Sequence, residues 1–166
     1  MAPGNWPDRS KLTCASDQMT LVTFIHPACP CSMASIEELA RIQAHCGERL
    51  KFYVVFVWSG GSSQLDASMT YRSSIANPGF ESVVDRDTSE ARAFGAQTSG
   101  HAFLFARDGR LVFDGGITGA RGHSGDNLGQ MAIEEWVFKG RSDTIATPVF
   151  GCGLLHPSES GLEGAR

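Results

Sequence analysis

The chain has 166 residues, a length that suits one compact domain and is short for two. Hydrophobic residues make up 42% and charged residues 19%, which excludes a disordered polyelectrolyte. The formal charge is −4 with no run of Lys or Arg, which argues against a nucleic-acid partner, and no apolar stretch is long enough to span a bilayer.

Residues 1–19 are polar and broken by Pro and Gly, and read as a loose lead-in. The first six residues lack the basic and apolar segments of a signal peptide, which taken literally points to the cytoplasm. Leu21 to Ile25 is a short β-rich run that ends at His26-Pro27. From Pro30 the period changes. Ile36, Leu39, Ile42 and Cys46 fall on one helical face, and Gly47 supplies the stop. Phe52 to Trp58 is continuously apolar, as expected of a strand buried on both faces.

A Gly/Ser loop at 59–63 precedes a weaker helix through Leu65, Met69 and Ile75, which Asn77-Pro78-Gly79 ends. Val83 to Asp85 reads as a strand, and Asp87 with Glu90 has capping-box spacing for a helix through Ala91 and Phe94. Residues 101–106 and 111–113 flank the turn Arg107-Asp108-Gly109-Arg110 and predict a hairpin. A Gly-rich loop at 115–125 leads to a helix from about Asn127 to Lys139, with Asp126 as its expected N-cap. The order β-α-β-α-β-α-β-β-α predicts an α/β fold over residues 20–140, a mixed central sheet with helices on both faces. Residues 141–166 read as a loop-like tail.

Five cysteines, at 14, 29, 31, 46 and 152, do not fix the redox compartment, and their odd number argues against a pure disulfide scaffold. The strand-to-turn segment ends in Cys29-Pro30-Cys31. Cys29 sits where an N-cap is expected and Pro30 suits the first helical position. Unpaired N–H groups and the helix dipole there stabilise a thiolate and lower its pKa. Cys31 is near enough to bond Cys29, in a strained and hence oxidising bridge. Two inert cysteines that merely lie close together are the bland alternative. Cys46 occupies an apolar helical face and reads as core. Cys14 has no assignment.

The segment Leu-Val-Thr-Phe-Ile-His-Pro-Ala-Cys-Pro-Cys at 21–31 resembles the active-site segment of the thioredoxin-like superfamily. The stretches Ala93 to Ala96, Phe103 to Arg110 and Gly115-Gly116 are similar to its closing segment. A His-Pro-x-Cys-Pro-Cys-Ser turn paired with the tail Thr147-Pro148-Val149-Phe150-Gly151-Cys152 also resembles bacterial thioredoxin-like proteins, often membrane-tethered. The resemblance implies a thioredoxin-like fold, a redox-active disulfide, a protein thiol or disulfide partner and an extracytoplasmic, periplasmic setting. It places Pro30, Gly100, His101, Arg121 and His123 along the substrate groove, with Asp126 in the same loop. Two departures stand out. The family motif has two residues between its cysteines, where this chain has only Pro30. Its cis-proline position falls here on Gly100.

Two functions follow from the residues. One is a thiol-disulfide oxidoreductase using the Cys29–Cys31 pair, with His26 assisting proton movement and no cofactor required. The other is a metal-binding or metallochaperone module for Cu, Zn or an iron–sulfur cluster, built from His26, Cys29, Cys31 and either Cys152 or His123. His26 reads equally as a packing imidazole. Cys152 is either a spare thiol in a floppy terminus or a third thiol that resolves or joins the pair. An open face at Gly100 predicts that His101, His123 or Cys152 lies within about 8 Å of a Cys29 or Cys31 sulfur.

Overall fold

The computed structural model describes residues 1–155. The expected tail therefore lies partly outside the described residues, from 156 onward. The strands are β1 (Met19–Ile25), β2 (Leu50–Val57), β3 (Phe80–Asp85), β4 (His101–Phe105) and β5 (Leu111–Gly116). They form one mixed sheet in the order β3-β2-β1-β4-β5. β2 is parallel to β1 and β3, whereas β4 runs antiparallel to β1 and β5.

β1 is the central strand, and its alternation sorts the core into two layers. Leu21 and Ile25 face one side with Phe52, Val54, Phe56 and Leu104. Val22 and Phe24 face the other with Tyr53, Val55, Phe103 and Phe105. Helix α1 (Ser32–Cys46) lays Ile36, Leu39 and Ile42 on the first layer, beside Ile133 of α5 (Leu128–Lys139). Helix α4 (Ser89–Phe94) covers the second layer with Ala91 and Phe94. Among the described residues, no helix is long and apolar enough to cross a membrane.

Local chemistry shifts several boundaries. The helix expected over 65–75 is two helices, α2 (Ser62–Ala67) and α3 (Met69–Ile75). Ser68 breaks them because its hydroxyl accepts the Tyr71 N–H and caps α3. The capping box at Asp87 and Glu90 does not form. Buried Asp85 instead accepts the Ala91 N–H at 2.9 Å, and Glu90 takes the Ser10 hydroxyl and the Lys11 N–H. Asn127, one residue beyond Asp126, caps α5 by accepting the Gln130 N–H. Asp126 is exposed and pairs with Arg41.

Among the described residues, the terminal segments hold isolated bridges but no helix or named strand, and both are packed down. Trp6 meets Phe94 and Phe105 edge-on, with centroids 5.2 and 4.9 Å apart, and its backbone N–H donates to Gly109 O. The tail first follows β5, where Asp114 N–H donates to Ile145 O and the Thr147 hydroxyl donates to Gly116 O. It then crosses to the loop before β4. There Ser99 N–H donates to Cys152 O and Leu154 N–H donates to Gln97 O. Residues 145–154 thus form a strap from the sheet edge to the C-terminal end of β1.

Because Trp6 clamps two buried phenylalanines, Trp6→Ala should cost about 2 kcal/mol of stability, measured as a lower urea midpoint with an unchanged slope.

Candidate functional site

The site lies where β1 gives way to α1. Cys29 N–H donates to His26 O at 3.1 Å, and Ser32 N–H donates to Cys29 O at 3.1 Å. Pro30 thus occupies the second position of a tight turn, where its fixed φ is preferred. This corrects the expected geometry: α1 starts at Ser32 with Cys31 as N-cap, so Cys29 is not the cap and Pro30 is not the first helical residue.

A small polar network braces the turn. The Ser32 hydroxyl donates to His26 O, and the Ser32 and Ser99 hydroxyls bond at 2.8 Å. Ser99 Oγ also accepts the His26 N–H. The Ser68 hydroxyl donates to Pro27 O, tying the α2–α3 link to the same turn. Ser32 stands where a two-residue motif spacing would put a second cysteine, and Ser99 precedes the glycine at the cis-proline position. Ser99 offered no motif in the sequence; its role depends on the chain folding back from residue 152.

Cys29 is buried, 4% exposed, and its Sγ lies 2.7 Å from the Sγ of Cys152. All five cysteines are free. Burial pushes the Cys29 thiol up. Hydrogen bonds outweigh it: from the Cys152 thiol, from the Cys31 and Cys152 backbone N–H groups and from the Ser32 hydroxyl. The net pKa is lowered from 9.0. Cys152 moves the opposite way, raised first by its bond to Cys29, then by burial and by the charges of Cys29 and Cys31, against a lowering pull from Arg121. The two thiols are thus shifted in opposite directions, Cys29 toward the thiolate and Cys152 toward the thiol. Cys46 is pushed up to about 11 by burial and by Glu134.

The remaining predicted residues separate into two groups. Arg121 reaches the site, donating to Gly151 O at 3.0 Å. Its loop is held by buried Glu38 of α1, which accepts the Gly125 N–H and the Asn127 side-chain N–H. His101 is committed elsewhere: it bonds Asp114 and stacks on Phe103 at 4.1 Å, because its strand position puts it on the Phe103 face. His123 is exposed in the loop and tied through its N–H to Ala120 O. The ring of His26 meets Trp58 edge-on, and its Nδ1 accepts the Ala28 N–H. Cys152 satisfies the expected proximity to Cys29.

The metal-ligand set of His26, Cys29, Cys31 and Cys152 or His123 is not assembled. Among the described residues, no three His, Cys, Asp or Glu side chains converge to hold an ion. Gly100 has φ +92 and its N–H donates to Phe24 O, and among the described residues no peptide bond is cis.

No protein-family model matches the sequence, and no curated protein matches it. Solved structures do match the fold. An uncharacterised conserved protein from Geobacillus kaustophilus aligns with TM-score 0.68 and 18% identity, over 95% of this chain and 94% of its own. A hypothetical protein from Sinorhizobium meliloti gives TM-score 0.68 and 21% identity over 93% of this chain and 94% of its own. An exposed lipoprotein thioredoxin from Streptococcus pneumoniae gives TM-score 0.51 and 16% identity, covering 75% and 86% of the two chains. The chain has the thioredoxin-like fold.

Two outcomes follow from this geometry. Thiolates alkylate and thiols do not, so iodoacetamide labelling of Cys29 should rise with a midpoint below pH 9.0, whereas buried Cys46 stays unlabelled until far higher pH. Peptide mapping across a pH series reads both. Gly100→Pro should destabilise the fold by more than about 1 kcal/mol, since proline can neither adopt that φ nor donate to Phe24 O; thermal unfolding reads the loss.

Proposed function

We propose that this chain is a thiol-disulfide oxidoreductase that exchanges with protein thiols, with Cys29 as its nucleophile. One observation carries the reading: a thiol of lowered pKa at the C-terminal end of the central strand, in contact with a second thiol. A thiolate is the attacking species in disulfide exchange, and a low-pKa thiol is also the better leaving group. The environment therefore favours Cys29 in both directions of the reaction. The thioredoxin-like fold supports the same reading, because the pneumococcal lipoprotein of that fold is itself a thioredoxin.

The roles of the neighbours follow from their contacts. Cys31 and Ser32 supply donors to the Cys29 sulfur, and Arg121 exerts a lowering pull on Cys152. Pro30 shapes the turn that presents Cys29, while Gly100 leaves room beside Ser35 and Phe150 that a side chain would take. His26 acts mainly through its backbone, which accepts from Cys29 and Ser32 and donates to Ser99.

The test is exchange between the reduced protein and glutathione disulfide, followed by release of reduced glutathione. Cys29→Ser should abolish it, whereas Cys14→Ser and Cys46→Ser should leave it at the wild-type rate. Full exchange by Cys29→Ser would overturn the proposal.

A further inference from the structure

The geometry points to Cys152 as the resolving thiol of this site, so that the internal disulfide joins Cys29 to Cys152 rather than Cys29 to Cys31. The inference rests on the reading of Cys29 as the exchanging nucleophile and adds the catalytic partner that the turn itself does not supply.

Three observations carry it. The sulfurs of Cys29 and Cys152 are 2.7 Å apart, so closing a bond of about 2.05 Å requires only side-chain motion. The strap is also fixed on both sides of Cys152. Ser99 N–H holds Cys152 O, Gln97 O holds Leu154 N–H, and Arg121 holds Gly151 O. Gly151 allows this approach, because a Cβ there would stand 2.0 Å from Ser99 O. Finally, Cys31 offers Cys29 its backbone N–H, while its own side chain is partly exposed. A bridge to Cys31 would disturb the hydrogen-bonded turn that shapes the site.

The chemistry balances with a partner disulfide as oxidant. The Cys29 thiolate attacks one partner sulfur, breaking the partner S–S bond and forming a mixed disulfide. The departing partner thiolate takes up a proton. Cys152, as thiolate, then attacks the Cys29 sulfur; the mixed disulfide breaks and the second partner thiolate leaves and is protonated. Two electrons have passed from the Cys29/Cys152 dithiol to the partner. Of the two protons gained by the partner, one derives from Cys152 and one from solvent.

The order of steps is built into the contact. While the pair is reduced, the bond to Cys29 raises the Cys152 thiol. Once Cys29 is consumed in the mixed disulfide, its bond and charge no longer raise the Cys152 thiol, while burial and Cys31 still raise it and Arg121 lowers it. Cys152 is therefore easier to ionise in the mixed disulfide than in the reduced pair, and the reverse sequence oxidises a partner dithiol.

The test uses the full chain, reduced and then treated with glutathione disulfide. Non-reducing peptide mapping should find a Cys152 peptide crosslinked to the segment that carries Cys29. The crosslink should persist in Cys31→Ser and vanish in Cys29→Ser. Cys152→Ser should release the first glutathione and then stall as glutathionylated Cys29, with the second release lost on the wild-type timescale, because a held neighbour reacts far faster than bulk thiol. A Cys29–Cys31 bridge in the wild type, or wild-type release of the second glutathione by Cys152→Ser, would overturn the assignment and leave exchange at Cys29 standing. Absence of glutathione adducts at Cys29 in Cys152→Ser, together with unimpaired exchange by Cys29→Ser, would overturn both readings.

Discussion

Ser99 holds together three pieces of chain that are far apart in sequence. Its hydroxyl accepts the His26 N–H and meets the Ser32 hydroxyl, and its own N–H donates to Cys152 O. It is buried, and so is Ser32. Buried polar groups are costly unless paired, and here the pairing decides the geometry. The strand end, the start of α1 and the strap cannot move independently without leaving one of these groups unsatisfied. The placing of Cys152 against Cys29 depends on that constraint, as does the turn that exposes Cys29 to so many donors.

The electrostatics of Cys29 therefore come from specific neighbours. A thiolate one turn further along would draw on the free N–H groups of a helix start; Cys29 lies before the cap. Burial alone would raise its thiol pKa. The donors that reverse this include two groups of residue 152, so the strap contributes to the acidity of Cys29 as well as to its chemistry. Glu38 and Arg121 extend the arrangement outward: a buried carboxylate steadies the glycine-rich loop, and the loop steadies Gly151.

The fold was legible in the sequence because its signals are local and strong. The apolar run 52–58, the helical face of Ile36, Leu39 and Ile42, and the Asp108-Gly109 turn each named an element that is present. Cys29 was legible from the strand-to-turn context, and Cys152 from its Pro/Gly-flanked motif. The residues missed or misplaced share a different origin. The caps of α4 and α5 depend on which of several adjacent Asp, Asn or Thr residues faces inward, and spacing does not decide that. Ser99 acts through contacts with residues 26, 32 and 152, so no window of sequence contains its role. His101 and His123 looked equivalent as polar residues near a groove. Strand register sends one onto Phe103, and the loop leaves the other in solvent.

The course of the strap along β5 has a consequence for how molecules of this protein meet one another. β5 is an outer strand of the sheet, and outer strands carry unpaired N–H and C=O groups that invite strands of other chains. Residues 145–147 occupy that row, with Asp114 and Gly116 already bonded to them. Gly115 and Gly116, which lack side chains, let the covering segment lie flat against the strand. The segment that carries Cys152 to the site thereby also covers this edge of the sheet against edge-to-edge pairing.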